Sequence, residues 1–337
     1  MGKQREQSER GAALAQNRSL FARIKSTQEF YLVIILAVIW VIGFIVTPAM
    51  FAPQNITTVL RNAAYGGVAA LAEGIIILAG EFDMSIGSIV SLAAIVSGTV
   101  FSSTGNEILT LFSGILTALL AGVCNGIICV KLKISNLIGT LGTMTIFSGL
   151  ASLIGRNRVI TKTTSSAIYN TLGKMNVGII PIGFLIFGLI AIVLAVILKK
   201  TMFGRKTYAV GANANAAWHA GIDVTKIKFI AFMLGDMLMV LVTFMVGGQV
   251  GALNAQLGEG YELDGIVIAV LGGVSLGGGI GSVFGIFMGT MVFQFLLNFL
   301  LLTGMGTYLE QVIKGILLVI IVLFSTVLEY RQKNATK

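Results

Sequence analysis

Ten blocks of apolar residues follow one another along this chain, near 30–47, 63–80, 85–103, 108–130, 136–155, 178–198, 229–248, 264–276, 280–303 and 308–327. Backbone placed in hydrocarbon must bond to itself, and a helix needs about 20 apolar residues to cross. The 264–276 block is too short to span alone, and its glycine-rich continuation suits a broken or re-entrant segment. Composition sets the same bound. Of 337 residues 56% are hydrophobic and 42 are glycine, which leaves room for at most about eleven spans. Charged residues make up 11%, where a soluble domain carries about 25%. An ordinary cytosolic enzyme, a nucleic-acid-binding domain and a secreted disulfide scaffold are excluded. The expected fold is an all-α polytopic membrane protein with about ten transmembrane helices in the lipid bilayer.

The net charge of +9 calls for no nucleic-acid partner, because its basic residues gather at the chain ends and in a few loops. Residues 1–29 read as a cytoplasmic basic tail, 30–327 as the transmembrane domain and 328–337 as a second cytoplasmic tail. A cleaved signal peptide is not expected, since no small-x-small site follows the first apolar block. An even span count puts both termini, the turn at Lys131 and Lys133 and the loop 199–228 inside, as the excess of Lys and Arg in cytoplasmic loops requires. The loop 156–177, with Arg156, Arg158, Lys162 and Lys174, then falls outside. Either the rule is violated locally or one of the first five spans is miscounted. Five spans on each side of the middle suit an inverted repeat of two five-helix halves. Each half has a glycine-interrupted stretch, 80–88 and 272–282, although sequence identity alone does not establish the repeat.

Polar residues inside apolar blocks are costly in lipid and mark places to inspect. Glu73 is at the middle of the second block, and an acid at helix centre costs roughly 2.5–3.5 kcal/mol on insertion scales. It reads either as a substrate or proton site or as a protonated acid bonded across a helix interface; Asp236 carries the same two readings. Asp83 and Ser85 sit where two blocks join with almost no loop, and they suit both capping of the next helix and lining of a path. Gln294 and Asn298, four apart, share a face and serve either helix–helix bonding or substrate contact. Gly277, Gly281, Gly285 and Gly289 recur every four residues, the spacing that lets helix backbones approach closely in lipid. One histidine, His219, and two cysteines on different helix faces leave no expected metal site or His-based catalytic set. No P-loop is present, so any ATP has to be handled by a partner. The loop 199–228 has an alanine-rich centre in which Ala212, Ala216, Ala217 and Ala220 share one helical face, suited to a groove on another protein.

These residues carry a resemblance. Thr201, Phe203, Gly204 and Arg205, then Ala209, Gly211 and Asn213, then Ala216, Ala217, Ala220, Gly221 and Ile222 resemble the coupling loop of ABC importer permeases of the ribose/galactose/arabinose type. Three further stretches agree: Gly80, Asp83, Ser85, Gly87 and Ser88; Lys133–Ile134 through Thr140–Met144; and Tyr261–Asp264 through Leu271–Ser282, with Lys314 and Gly315 in the last block. The resemblance covers nearly all of the chain after residue 30. It implies a non-catalytic subunit that passes a monosaccharide through the bacterial cytoplasmic (inner) membrane. It implies a dimer with a second permease copy or paralogue, and two copies or one double-length form of a cytoplasmic ATP-binding cassette subunit carrying ATP and Mg. An external sugar-binding protein would deliver the cargo, and this chain binds no cofactor. The implied coupling set is Arg205, Asn213, Asn215, Ala216, Ala217, Ala220 and Gly221. Asn215 departs from the family, which is often acidic there. The expected pathway set is Glu73, Asp83, Ser85, Asn136, Asp236, Gln294 and Asn298. The competing expectation is a self-contained secondary transporter using Glu73 or Asp236 as a proton site.

Overall fold

The computed structural model describes residues 28–156, 158–306, 309, 311–317, 319, 320 and 323. The expected tails 1–29 and 328–337 therefore lie almost wholly outside the described residues. The helices are α1 Gln28–Val46, α2 Pro53–Leu78, α3 Ile86–Thr104, α4 Glu107–Asn125, α5 Asn136–Gly155, α6 Ala167–Gly173, α7 Ile182–Lys200, α8 Met202–Ala212, α9 Ala214–His219, α10 Val224–Val250, α11 Tyr261–Leu271 and α12 Val283–Leu302. Further helical turns follow within 311–317. Strands β1 Asn176–Val177 and β2 Ile180–Pro181 form a small antiparallel hairpin.

Among the described residues seven helices are long and apolar enough to cross a membrane: α1, α3, α4 with its π-helical extension to Lys131, α5, α7, α10 and α12. At 26 residues α2 is long enough too, but its first turns are polar. As the sequence suggested, the block near 264–276 is a short helix, α11, of 11 residues.

Local chemistry sets the helix ends. Pro53 opens α2, where its missing N–H costs nothing. The Asn106 side chain accepts from the amides of Ile108 and Leu109 and so caps α4. Asp223 accepts from Lys226 N to cap α10, which stops at Gly251 in the left-handed region, φ 69°. Packing then sorts the helices. Of the apolar window in α1, 11% is buried, against 72% in α3 and 61% in α10. The outward residues of α1, α5 and α7, among them Phe44, Leu153 and Leu189, are exposed apolar side chains. These three helices present the lipid-facing wall, and α2, α3 and α10 form the centre.

Contacts along α2 give a ruler for depth. Gly66 faces Gln294, Gly74 faces Ile286, and Leu78 O accepts from Gly279 N, so α12 runs antiparallel to α2. Segment 79–85 turns back from the end of α2 and starts α3 partway along it. Segment 251–260 likewise turns back from the end of α10, and α11 starts at a similar depth. The two helix starts meet: Gly258 N donates to Ser91 Oγ, and Gly87 lies against Glu262 and the Gly258 carbonyl.

The two ends of the molecule are distinct. At one end α8 packs on Leu78 and Gly279 and leads into α9. At the other, Ile160 and Leu253 exchange backbone hydrogen bonds of 2.9 Å, and Glu107 accepts from Ala167 N and Ser166 Oγ. Loop 156–177 thus lies at the end opposite the α8–α9 segment. Lys162 Nζ is held there by the Ser102 carbonyl at 2.6 Å.

Two expectations need correcting. Gly277, Gly281, Gly285 and Gly289 do not share a helix. α12 begins only at Val283, where Ser282 Oγ accepts from Gly285 N at 2.9 Å, and Gly281 adopts φ 150°. Gly285 and Gly289 are in the helix and lie against the backbone of Gly272. Nor do Ala212, Ala216, Ala217 and Ala220 share one helix. Asn213 is extended, φ −161° and ψ 99°, because its side chain caps α9 through Ala216 N, and the chain bends between α8 and α9.

Candidate functional site: a closed polar cluster and an open cavity

The 79–85 segment organises a cluster with no access to solvent. Glu73, Asp83, Ser85, Asn125 and Asp236 are each fully buried. Asp83 Oδ1 accepts from Ser85 N at 2.6 Å, and Asp83 N donates to Glu73 Oε1 at 3.0 Å. The expected cap therefore takes another form: Asp83 holds the amide of Ser85, while the Ser85 side chain caps nothing. Asn125 Nδ2 is within bonding distance of Asp83 Oδ2 (2.7 Å), Ser85 Oγ (2.8 Å) and Asp236 Oδ2 (2.9 Å). Gly122, one turn before Asn125, lies against the α10 backbone at Phe232 and Met233, and that close approach brings α4 within reach of Asp236. Glu73 Oε2, Asn125 Oδ1 and Asp236 Oδ1 have no partner. The Asn125 amide is thus the N–H donor shared by the two aspartic side chains. Among the described residues no group of three or more His, Cys, Asp or Glu side chains is placed to hold a metal ion.

The 251–260 segment does the opposite and borders a cavity of about 820 Å³. Its lining includes Asn62 and Tyr65 from α2, Gln256 and Glu259 from the segment itself, Tyr261 and Asp264 from α11, Gln294 from α12, and Lys314. Tyr65 Oη is buried without a partner. Lys314 is paired with Asp264 at 3.0 Å, which ties the last helical stretch to α11.

Of the expected pathway residues, Gln294 lines the cavity, and Glu73, Asp83, Ser85 and Asp236 belong to the closed cluster. Asn298 exchanges amide hydrogen bonds with Asn55 at 2.8 and 2.9 Å, a helix-to-helix tie. Asn136 opens α5 at the α8–α9 end, its carbonyl accepting from Thr140 Oγ1. The sequence reading passed over Asn125, Asn62, Tyr65 and Gln256, and named Tyr261 only within the resemblance. Asn125 had a signal, as a lone amide inside an apolar block. Tyr65 had none, being an ordinary member of such a block.

At the other end the coupling residues divide by exposure. Ala217 is buried beside Val210 and Ile227, whereas Arg205, Asn213, Asn215, Ala216 and Ala220 are exposed. Gly221 has φ 79°. This exposed set rests on the two glycine-rich junctions of the bundle. Gly211 lies directly on the Leu78 carbonyl and beside Gly279 N, and Tyr208 Oη donates to Gly281 O at 3.0 Å.

Residues 55–322 match the family model described as branched-chain amino acid transport system / permease component. The chain is 34% identical over 301 residues to a ribose import permease protein of Bacillus subtilis (strain 168), covering 89% of this chain and 92% of that one. It is 29% identical to the L-arabinose ABC transporter permease protein of Azospirillum brasilense, covering 91% and 89%. It is also 29% identical to the autoinducer 2 import system permease protein of Photorhabdus luminescens, covering 89% and 90%. No solved structure matches.

Proposed function

The chain belongs to the branched-chain amino acid transport system / permease component family, and from that premise we propose that it is the membrane-spanning subunit of an ATP-driven sugar importer. One observation carries the mechanism: α8 is seated on both junctions, through Gly211 on Leu78 and Tyr208 on Gly281. A cytoplasmic ATP-binding cassette docked on the exposed face of this segment would move 79–85 and 272–282 together, as a rigid-body switch requires. The relatives' names give no support to a self-contained secondary transporter.

The cargo is a monosaccharide. The family description mentions branched-chain amino acids, whereas the relatives' names mention ribose and arabinose. The cavity lining mixes amides, acids and tyrosines with Leu257, Leu263, Val267 and Leu297, so the relatives' names and not the lining carry the sugar.

In the working assembly two permeases pair, a cassette subunit supplies ATP hydrolysis, and an external binding protein delivers the sugar. The α8–α9 end is cytoplasmic, with both termini, in the bacterial inner membrane. Ten membrane segments arranged as an inverted repeat fit the fold. The supporting pair is α2 with its return at 79–85, set against α10 with its return at 251–260, each starting a helix partway across in opposite directions. The stretch 272–282, paired with 80–88 at the sequence level, lies against that first break at the same end and is not its counterpart.

The test removes the docking element. Deleting 212–221, or Gly221→Trp at its positive φ, is expected to abolish co-purification with the cassette while membrane insertion is retained. Undiminished co-purification would refute the coupling assignment.

A further inference from the structure

We infer that Lys228 and Glu81 form a positioning latch that ties movement of the cytoplasmic segment to the opening of the 79–85 break. The inference rests on the importer reading above.

Lys228 Nζ lies 2.5 Å from Glu81 Oε1. The two come from distant parts of the chain: Lys228 from the second turn of α10, directly after the α8–α9 segment, and Glu81 from the break. Glu81 is 8% exposed, and its amide is still bonded to the Ile76 carbonyl at 3.1 Å. Two residues on, Asp83 enters the closed cluster with Asn125 and Asp236. A pull on Glu81 therefore reaches α2 on one side and the cluster on the other.

The pair is asymmetric, and that makes it a latch. Lys228 is only partly buried at the start of α10, and its long stem lets the ammonium reach water at small cost. Glu81 has no such stem and sits almost out of solvent. Parting the two leaves an uncompensated carboxylate in a poorly hydrated place, the costly half of a broken buried pair. Once Lys228 is withdrawn, Glu81 has to follow it or admit water, and either outcome opens the break on the cytoplasmic side. The other ties between this segment and the junctions, Gly211 on Leu78 and Tyr208 on Gly281, involve no charge. They set position without this one-sided penalty.

The experiment uses the full chain in lipid nanodiscs, and the full transporter with its cassette and binding protein, with ribose as the probe. Lys228→Met and Glu81→Gln are each expected to raise backbone hydrogen exchange in 80–86 by about tenfold, with α8 and α9 unchanged. In the full transporter they raise the ATP hydrolysed per ribose imported by at least about fivefold, with the cassette still bound. The charge exchange K228E/E81K recovers both readouts to within about threefold, and Lys228→Arg stays at the parent level. A static structural contact would give no such rescue of the coupling ratio. Parent-level exchange and coupling in the single variants, or an exchanged variant as impaired as they are, would overturn the latch. A parent that imports no ribose would instead refute the ribose reading, and exchange at 80–86 would still decide the latch.

Discussion

The two breaks, 79–85 and 251–260, hold matching places and do opposite things with polar residues. Each follows a long helix, of 26 residues in α2 and 27 in α10. Each returns the chain to the middle of the bundle and starts a helix that meets the other. Yet the first is closed around three buried carboxyl side chains and an amide, and the second opens onto a cavity of about 820 Å³. Polar residues at membrane depth therefore serve two purposes here. Those of the first break bond to one another across helices, and those of the second face open space.

The sharpest way to break this contrast is to empty the closed side. Asn125→Leu removes the donor shared by Asp83, Ser85 and Asp236, and the loss should be about 3 kcal/mol, the cost of leaving buried acceptors without their donor. A lower unfolding temperature of the purified chain and reduced yield would show it; parent-like stability would mean the cluster is no fastener. Next comes the point where the breaks touch. A Cβ on Gly87 would overlap the Glu262 carboxylate and the Gly258 carbonyl, so Gly87→Ala should cost about 1–3 kcal/mol and slow uptake. If uptake and melting are both unchanged, the two helix starts do not work as one unit.

The smallest stability effect should come from the open side. Tyr65→Phe removes a hydroxyl that bonds nothing in the protein and should leave stability within about 0.5 kcal/mol. The KM for ribose uptake should rise by up to about tenfold, the worth of one good hydrogen bond. Tyr169→Phe makes the control, because that hydroxyl is bonded to Ser97 at 2.8 Å. Its loss should cost about 1 kcal/mol of stability without changing KM. A reversed pattern in the pair would remove the cavity from the sugar's route.

Much of the fold could be read from apolar run length alone, because hydrocarbon admits so few backbone solutions. Each described helix that crosses the bundle lies on one of the anticipated blocks, and the short block became α11. The glycine series failed for a physical reason: a four-residue period is silent about where a helix starts. Ser282, with Gly285 three residues on, was the missed start signal. The acids illustrate a different limit. Insertion cost says that Glu73 and Asp236 must avoid lipid, but it does not distinguish a wet wall from a dry, hydrogen-bonded interior. That distinction depends on Asn125, 42 residues from Asp83 and 111 from Asp236, and no local pattern connects them.

Asn125 has one more consequence. A primary amide has two hydrogens, and three acceptors stand within 2.9 Å of its nitrogen. The Ser85 hydroxyl carries a hydrogen of its own, so the two amide hydrogens can serve Asp83 and Asp236 while the serine is left to donate. More than one assignment of the hydrogens is therefore open to the cluster. For a joint between distant parts of the chain, bonds can then be redistributed without any one carboxyl group being abandoned.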